Sequence, residues 1–264
     1  MRVLHLSDLH LTPTQHRKIE WVRSLAHLEP DFVLDTGDNF AHVNALPALT
    51  RALAPLLEFP GAFVMGSNDY YAPRFKNPAR YLLPDARIPF TSSTPNLPAA
   101  ELGRHLSRAG WLDLSNTRDR AVIGNTTFDF VGVDDPHIDR DVYPEAQTMP
   151  ESSPEAPAVR VGVVHAPYTR VLNAMHDDQC SMIIAGHTHG GQLCVPGFGA
   201  LVTNCDIDRG RARGLHGWPY ARPDMRGGEE SCWLHVSGGL GTSPYAPVRF
   251  ACRPEATLLT LIPA

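Results

Sequence analysis

The sequence predicts an α/β fold, on three observations. Short apolar, β-branched-rich runs recur along the chain, helical periodicities separate the early ones, and most runs end in polar residues. The runs are Val3 to Leu6, Phe32 to Leu34, Ala62 to Met65, Phe128 to Val133, Val159 to Val164, Met182 to Ala185, Leu234 to Val236 and Thr257 to Ile262. Their near-continuous apolar character is that of strands buried on both faces.

Three helices are expected between the early strands. Arg17 to Leu28 places Ile19, Val22, Leu25, Ala26 and Leu28 near one face. Leu46 to Leu57 is the second, with Pro47 tolerated in its first turn. Glu101 to Ala109 is the third. Past residue 133 the connections become rich in Gly and Pro. Asp134 to Ala158 and Thr203 to Ser231 read as long loops, a length that compact domains usually keep for function. There is no internal repeat, and one domain spanning residues 1–264 is expected.

Composition narrows the function. The 264 residues are 43% hydrophobic and 19% charged, as in a globular domain. A formal charge of −5 supplies no global field for nucleic acid, so no nucleic-acid partner is expected. The five cysteines form no CxxC pair, which fits a reducing compartment rather than a disulfide framework. The opening MRVLHLSDLH carries His5, Asp8 and His10 too early for a leader, and no apolar run is long enough for a membrane span. A cytoplasmic location is the expectation.

The chemistry sits where the strands stop. LSDLH ends in Asp8 and His10, LDTGDN in Asp38 and Asn39, GSND in Ser67, Asn68 and Asp69, VVHAP in His165, and IIAGHTHGG in His187 and His189. Ligands of open α/β sheets bind outside the carboxyl ends of the strands, and five such ends here offer metal-ligating side chains. Asp8 and His10 are two apart, as are His187 and His189, so an extended chain would send each pair to one side. Mixed carboxylate and imidazole donors suit Mn, Fe or Zn. There are too many of them for one tetrahedral ion; two ions sharing a carboxylate fit, with Asp38 the natural bridge because it comes from a central strand.

These motifs, in this order, resemble the calcineurin-like metallophosphoesterases, whose pattern runs D-x-H, G-D, G-N-H-D/E, a lone H, then G-H-x-H. The GHTHGGQ at 186–192 and the SGGLGTSPYAPVRFACRPE at 237–255 resemble a bacterial branch that includes lipid-related phosphoesterases. The resemblance implies two mixed sheets flanked by helices, an α/β/β/α sandwich. It implies that Asp8, His10, Asp38 and His189 hold one divalent ion, and that Asp38, an amide of the third motif, His165 and His187 hold the other. It also implies that Asp38, Asn68, His165 and His189 serve catalysis by a hydroxide shared between the ions, acting on a phosphorylated small molecule or lipid-like ester.

The third motif departs from the pattern. Ser67 and Asn68 stand where the family has Asn and then His. Asn68 is the expected ligand, since an amide oxygen is a better donor than a neutral serine hydroxyl. The motif histidine is missing, and His42 or His137 is the candidate substitute at the substrate. A missing proton donor favours diesters over monoesters. Arg209, Arg211 and Arg213 cluster in a Gly-rich loop; such a cluster is ordinarily just solvated, but Arg209 is also a candidate phosphate contact. Asp35 is expected to brace its turn, Asp69 to hold its turn or a ligand histidine, and Asn39 to cap or to touch substrate. His5 is read as structural, and His16, His27, His105, His176 and His235 as surface or satisfied core. A metal-binding scaffold with weakened hydrolysis is the alternative function.

Overall fold

The computed structural model describes residues 1–73, 97–153 and 156–262. One sheet is built from β1 (Arg2–Leu6), β2 (Phe32–Asp35), β3 (Gly61–Phe63), β4 (Leu112–Asp113) and β13 (Thr257–Thr260), in the order β13-β1-β2-β3-β4. Only β13 runs antiparallel to its neighbour. The other sheet has β5 (Thr117–Ile123), β6 (Thr126–Gly132), β7 (Ala158–Val164), β8 (Met182–Ala185), β11 (Gly214–Trp218) and β12 (Cys232–Val236), in the order β11-β12-β8-β7-β6-β5. Its four inner strands are parallel and its two edge strands antiparallel.

The sheets stack face to face on an apolar layer that includes Val3, Phe32, Leu34, Phe128, Phe130, Val161 and Ile184. The rings of Phe32 and Phe130 stack across it, with centroids 5.3 Å apart. Outside the first sheet lie α1 (His16–Ser24), α2 (Leu46–Leu53) and α4 (Ala99–Arg108), which bury Ile19, Leu49 and Leu102 among others. Outside the second lies α5 (Thr169–Asp177), with Leu172 and Met175 inward. The architecture is therefore the α/β/β/α sandwich.

The eight expected strands form, with small shifts at their ends. Helix α1 tightens to a 3-10 turn over Leu25–Leu28. Helix α2 stops at Leu53 because Pro55 lacks the N–H that would continue it, and a 3-10 turn follows at Leu56–Glu58. Several further elements arise where no strand or helix was expected, β4 and four others among them. Strand β5 is an edge with charged residues and mostly exposed positions, so it carries no apolar signal. Strand β11 crosses the segment 203–231 expected to be a loop, pairing with β12 from Gly214 to Trp218. Helix α5 follows the HAP turn. Ser67–Tyr70 forms α3, a single helical turn that opens on Gly66.

Candidate metal centre

The carboxyl ends of β1, β2 and β3 meet those of β7 and β8, so the candidate residues come from both sheets. Asp8, His10, Asp38, His187 and His189 all have positive φ, from 40° to 68°. For non-glycine residues this left-handed backbone is uncommon and concentrates at functional sites. It also corrects the spacing argument. Asp8 and His10, like His187 and His189, do not converge as alternate residues of an extended chain; they lie past the ends of β1 and β8, in loops bent by left-handed residues. Close approach at the centre requires glycine at two places. A Cβ on Gly66 would collide with the Asp38 carboxylate, and one on Gly186 with the Ser7 hydroxyl.

Two groups of side chains converge, Asp8 with His10 and His189, and Asp8 with Asp38 and His165. Asp8 Oδ1 lies 3.4 Å from His189 Nε2 and 4.0 Å from His10 Nε2. The Asp38 carboxylate lies between two rings, with Oδ2 3.5 Å from His10 Nε2 and Oδ1 3.5 Å from His165 Nε2. The remaining hydrogen bonds orient these atoms. Asp8 Oδ2 accepts from the Ser7 hydroxyl at 2.6 Å and from the His187 N–H at 3.0 Å, which leaves Oδ1 for the centre. His165 Nδ1 donates to the Thr36 carbonyl at 2.6 Å, and His189 Nδ1 to the Gly241 carbonyl at 3.0 Å. Each ring then presents the lone pair of Nε2, as metal-binding histidines do.

The donor set fits a metal ion. Asp8 Oδ1, both nitrogens of His10 and His165 Nε2 are buried with no hydrogen-bond partner. Such atoms cost free energy unless something satisfies them. The electrostatics agree. Burial pulls the His165 imidazole down, but the carboxylates of Asp38, Asp135 and Asp8 more than offset it and lift it to about 10. Burial opposes ionisation of Asp38, yet His165, His10 and two hydrogen bonds from Asn68 hold its carboxyl well below the usual range. His10 is pulled down to about 4, chiefly by burial. The buried acids thus favour positive charge at this point.

At the third strand end, the Asn68 backbone N–H donates to Asp38 Oδ1 and its side-chain amide donates to Asp38 Oδ2, both at 2.7 Å. Ser67 is buried, and its hydroxyl lies 3.4 Å from the Asn68 amide nitrogen. Asp69 accepts from the N–H groups of Asp38, Asn39 and Gly66, each at 2.9 Å, and so ties the second strand end to the third. Asp35 accepts from Gly37 N–H at 3.0 Å and braces its own turn.

Other candidates lie apart from these groups. His187 Nε2 sits 3.2 Å from the Asn204 carbonyl, and its ring packs against His165 and His137 with centroids 5.2 and 4.4 Å away. His137 is buried, with Nδ1 3.0 Å from the Tyr168 hydroxyl. His42 is exposed and accepts from Asn44 N–H at 3.1 Å. Arg209 is exposed, with its guanidinium 5.0 Å over the Phe198 ring.

Two supports were not anticipated. Ser7 has only its adjacency to Asp8 as a signal. Arg249 donates to the carbonyls of Gly238 at 2.7 Å and Gly241 at 2.6 Å, and so holds the carbonyl that orients His189. Its sole sequence signal is its place in the segment 237–255.

Comparison with known proteins points the same way. A family profile described as calcineurin-like phosphoesterase matches residues 1–191. The chain is 29% identical over 161 residues to phosphodiesterase YaeI of Escherichia coli, covering 61% of this chain and 51% of that protein. It is 26% identical to the UDP-2,3-diacylglucosamine pyrophosphatase LpxG of Chlamydia trachomatis, covering 98% of this chain and 83% of that one. It is also 26% identical to a transmembrane protein with metallophosphoesterase domain of Bos taurus, covering 99% and 53%. The chain thus spans about half the length of the first and third of these relatives. Among its described residues, no helix is long and apolar enough to cross a membrane. With the family profile covering most of its length, over the residues that carry the strand-end donors, the chain belongs to the calcineurin-like phosphoesterase family.

Proposed function

We propose that the strand-end centre is a dinuclear hydrolytic site for phosphate esters, with diesters preferred. The observation that carries this reading is the Asp38 carboxylate, whose two oxygens face the free nitrogens of His10 and His165 at 3.5 Å each. Asp8, His10, Asp38 and His189 would hold one divalent ion. Asp38, Asn68, His165 and His187 would hold the other, His187 by giving up the Asn204 carbonyl. Bound there, two cations (Mn, Fe or Zn for these donors) lower the pKa of water and stabilise the charge on the phosphoryl oxygens.

The protein's own contribution is positioning. Thr36 and Gly241 fix the tautomers of His165 and His189, Ser7 turns Asp8, and Asp69 locks the loops of Asp38 and Asn68 together. His165 and His189 thereby hold Nε2 toward the reacting centre, and Asn68 acts as the amide donor beside Asp38. The preference for diesters rests on the third motif, where Asn68 occupies the place of a histidine that would protonate a poor leaving group. His137, packed on His187, is the candidate for the remaining substrate contact, ahead of the exposed His42 and Arg209. A lipid-like substrate is supported by likeness to the UDP-2,3-diacylglucosamine pyrophosphatase, which extends over 98% of this chain.

The test is turnover of a chromogenic phosphodiester by the Mn-loaded protein, beside the matching monoester. Diester hydrolysis that is abolished by Asp38→Asn is the expected result. A metal-loaded protein inert toward both esters would contradict the enzyme reading and leave a metal-binding scaffold, the reading that the altered third motif favours.

A further inference from the structure

Beside the metal centre lies a face whose apolar side chains the proposed hydrolysis does not use. It is formed by a small ribbon, β9 (Cys194–Val195) paired with β10 (Gly199–Ala200), and by the chain around Phe250, which bridges to Leu193. Strand alternation divides the side chains. Cys194 turns inward, its thiol 3.1 Å from the Gly190 carbonyl, while Leu193 and Val195 on either side are exposed. Phe198 stands at the ribbon's turn and is 61% exposed; Val248 and Phe250 are 61% and 60% exposed. Gln192 stitches the two segments together by donating to the carbonyls of Ala246 and Val248 at 2.6 and 2.9 Å. These large apolar side chains thus stand on segments that are joined to one another, unlike scattered surface leucines.

The charge around this face selects its partner. Residues 189–203 and 237–253 contain no Asp or Glu, in a chain of net charge −5, whereas the second segment carries Arg249 and Arg253. Arg209 lies over the Phe198 ring, and no ion pair holds it among the described residues. Asp206 and Asp208 precede Arg209, but apolar tips on two acid-free segments, flanked by the exposed Arg209 and Arg253, match the interface of a bilayer with anionic headgroups, where apolar burial and charge attraction add. A second copy of the chain would instead set arginine against arginine on a symmetric face.

We propose that Leu193, Val195, Phe198, Val248 and Phe250, with Arg209 beside them, dock the protein on the surface of an anionic lipid bilayer. The ribbon hangs on the metal centre, since the Cys252 thiol that packs under it reaches the His189 carbonyl at 3.2 Å. Docking would therefore place the centre next to the headgroups. This inference stands on the surface alone, and failure of ester hydrolysis would leave it intact.

The experiment is flotation of the full chain with phosphatidylcholine vesicles, with and without phosphatidylglycerol, at low and high salt. Binding to the phosphatidylglycerol vesicles that salt weakens is expected. Phe198→Ser combined with Phe250→Ser is expected to cut that binding roughly tenfold, with circular dichroism and hydrolysis of the soluble diester unchanged. Arg209→Glu is expected to weaken binding to the anionic vesicles. Absence of binding to either vesicle would overturn the proposal, as would equal binding by the double variant or a concentration-dependent dimer dissolved by the same substitutions.

Discussion

Two groups of buried histidines sit a few residues apart in this fold and behave in opposite ways. His5 on β1 and His235 on β12 join the two sheets from inside, with their Nδ1 atoms 3.0 Å apart and His5 Nε2 2.9 Å from the Thr36 hydroxyl. The His5 ring has no nitrogen left over. At the strand ends, both nitrogens of His10 and Nε2 of His165 are equally buried and have no partner. Residue type and burial are the same; hydrogen-bond accounting separates a core pair from candidate metal ligands. The difference is one of place. Within the strands the sheets face each other and can satisfy one another, whereas past the strand ends the side chains converge on a point where they could hold a metal ion.

Changes at the strand ends should abolish function while leaving the fold, and changes at the inner pair should do the reverse. The largest effect is expected at Asp38→Asn, which removes the charge shared by His10 and His165. Diester turnover should fall on the order of 10³-fold, together with metal content by elemental analysis. Asn68→Ala comes next, with a loss of about 10²-fold in kcat/KM, whereas Ser67→Ala should change it only slightly. The opposite order would place Ser67 at the metal. Arg249→Leu should lower metal affinity about 10- to 100-fold by loosening the Gly241 carbonyl that orients His189. Titration calorimetry with Mn would read it, and Arg249→Lys should recover part of the loss.

The smallest effect belongs to the inner pair. Burial lowers His235 from 6.5 to about 4, and His5 is lowered as well, by burial and by His235. A histidine whose folded value lies below its unfolded one stabilises fully above the unfolded value, and the contribution is lost as pH falls toward the folded one. Stability should thus decline between pH 6.5 and about 4. His235→Gln should flatten that decline by roughly 1 to 3 kcal/mol and leave metal content near neutrality unchanged. A changed metal content would show that the two groups are not separate.

Much of the sandwich was legible because its central strands are buried on both faces and read as apolar runs. Edge strand β5 was not, since TRDRAVI faces solvent along most of its length. Strand β11 was hidden because GLHGW carries two glycines amid a Gly- and Arg-rich stretch. The candidate donors stood out by residue type at strand ends, and the structure brings Asp8, His10, Asp38, His165 and His189 together. How they meet was not legible. Left-handed backbone at Asp8 or Asp38 has no signature in a single sequence, and neither has a side chain that arrives from far along the chain. Arg249 is one such side chain, 60 residues from the His189 that it supports.

The most direct measurement is a crystal structure of the Mn-loaded protein with anomalous scattering at the metal edge. Two peaks flanking the Asp38 carboxylate are predicted, one toward His10 and His189 and the other toward His165, with the Asn68 amide on the second. Absence of metal from the strand ends, or a single ion that leaves His165 Nε2 without a partner, would contradict the account.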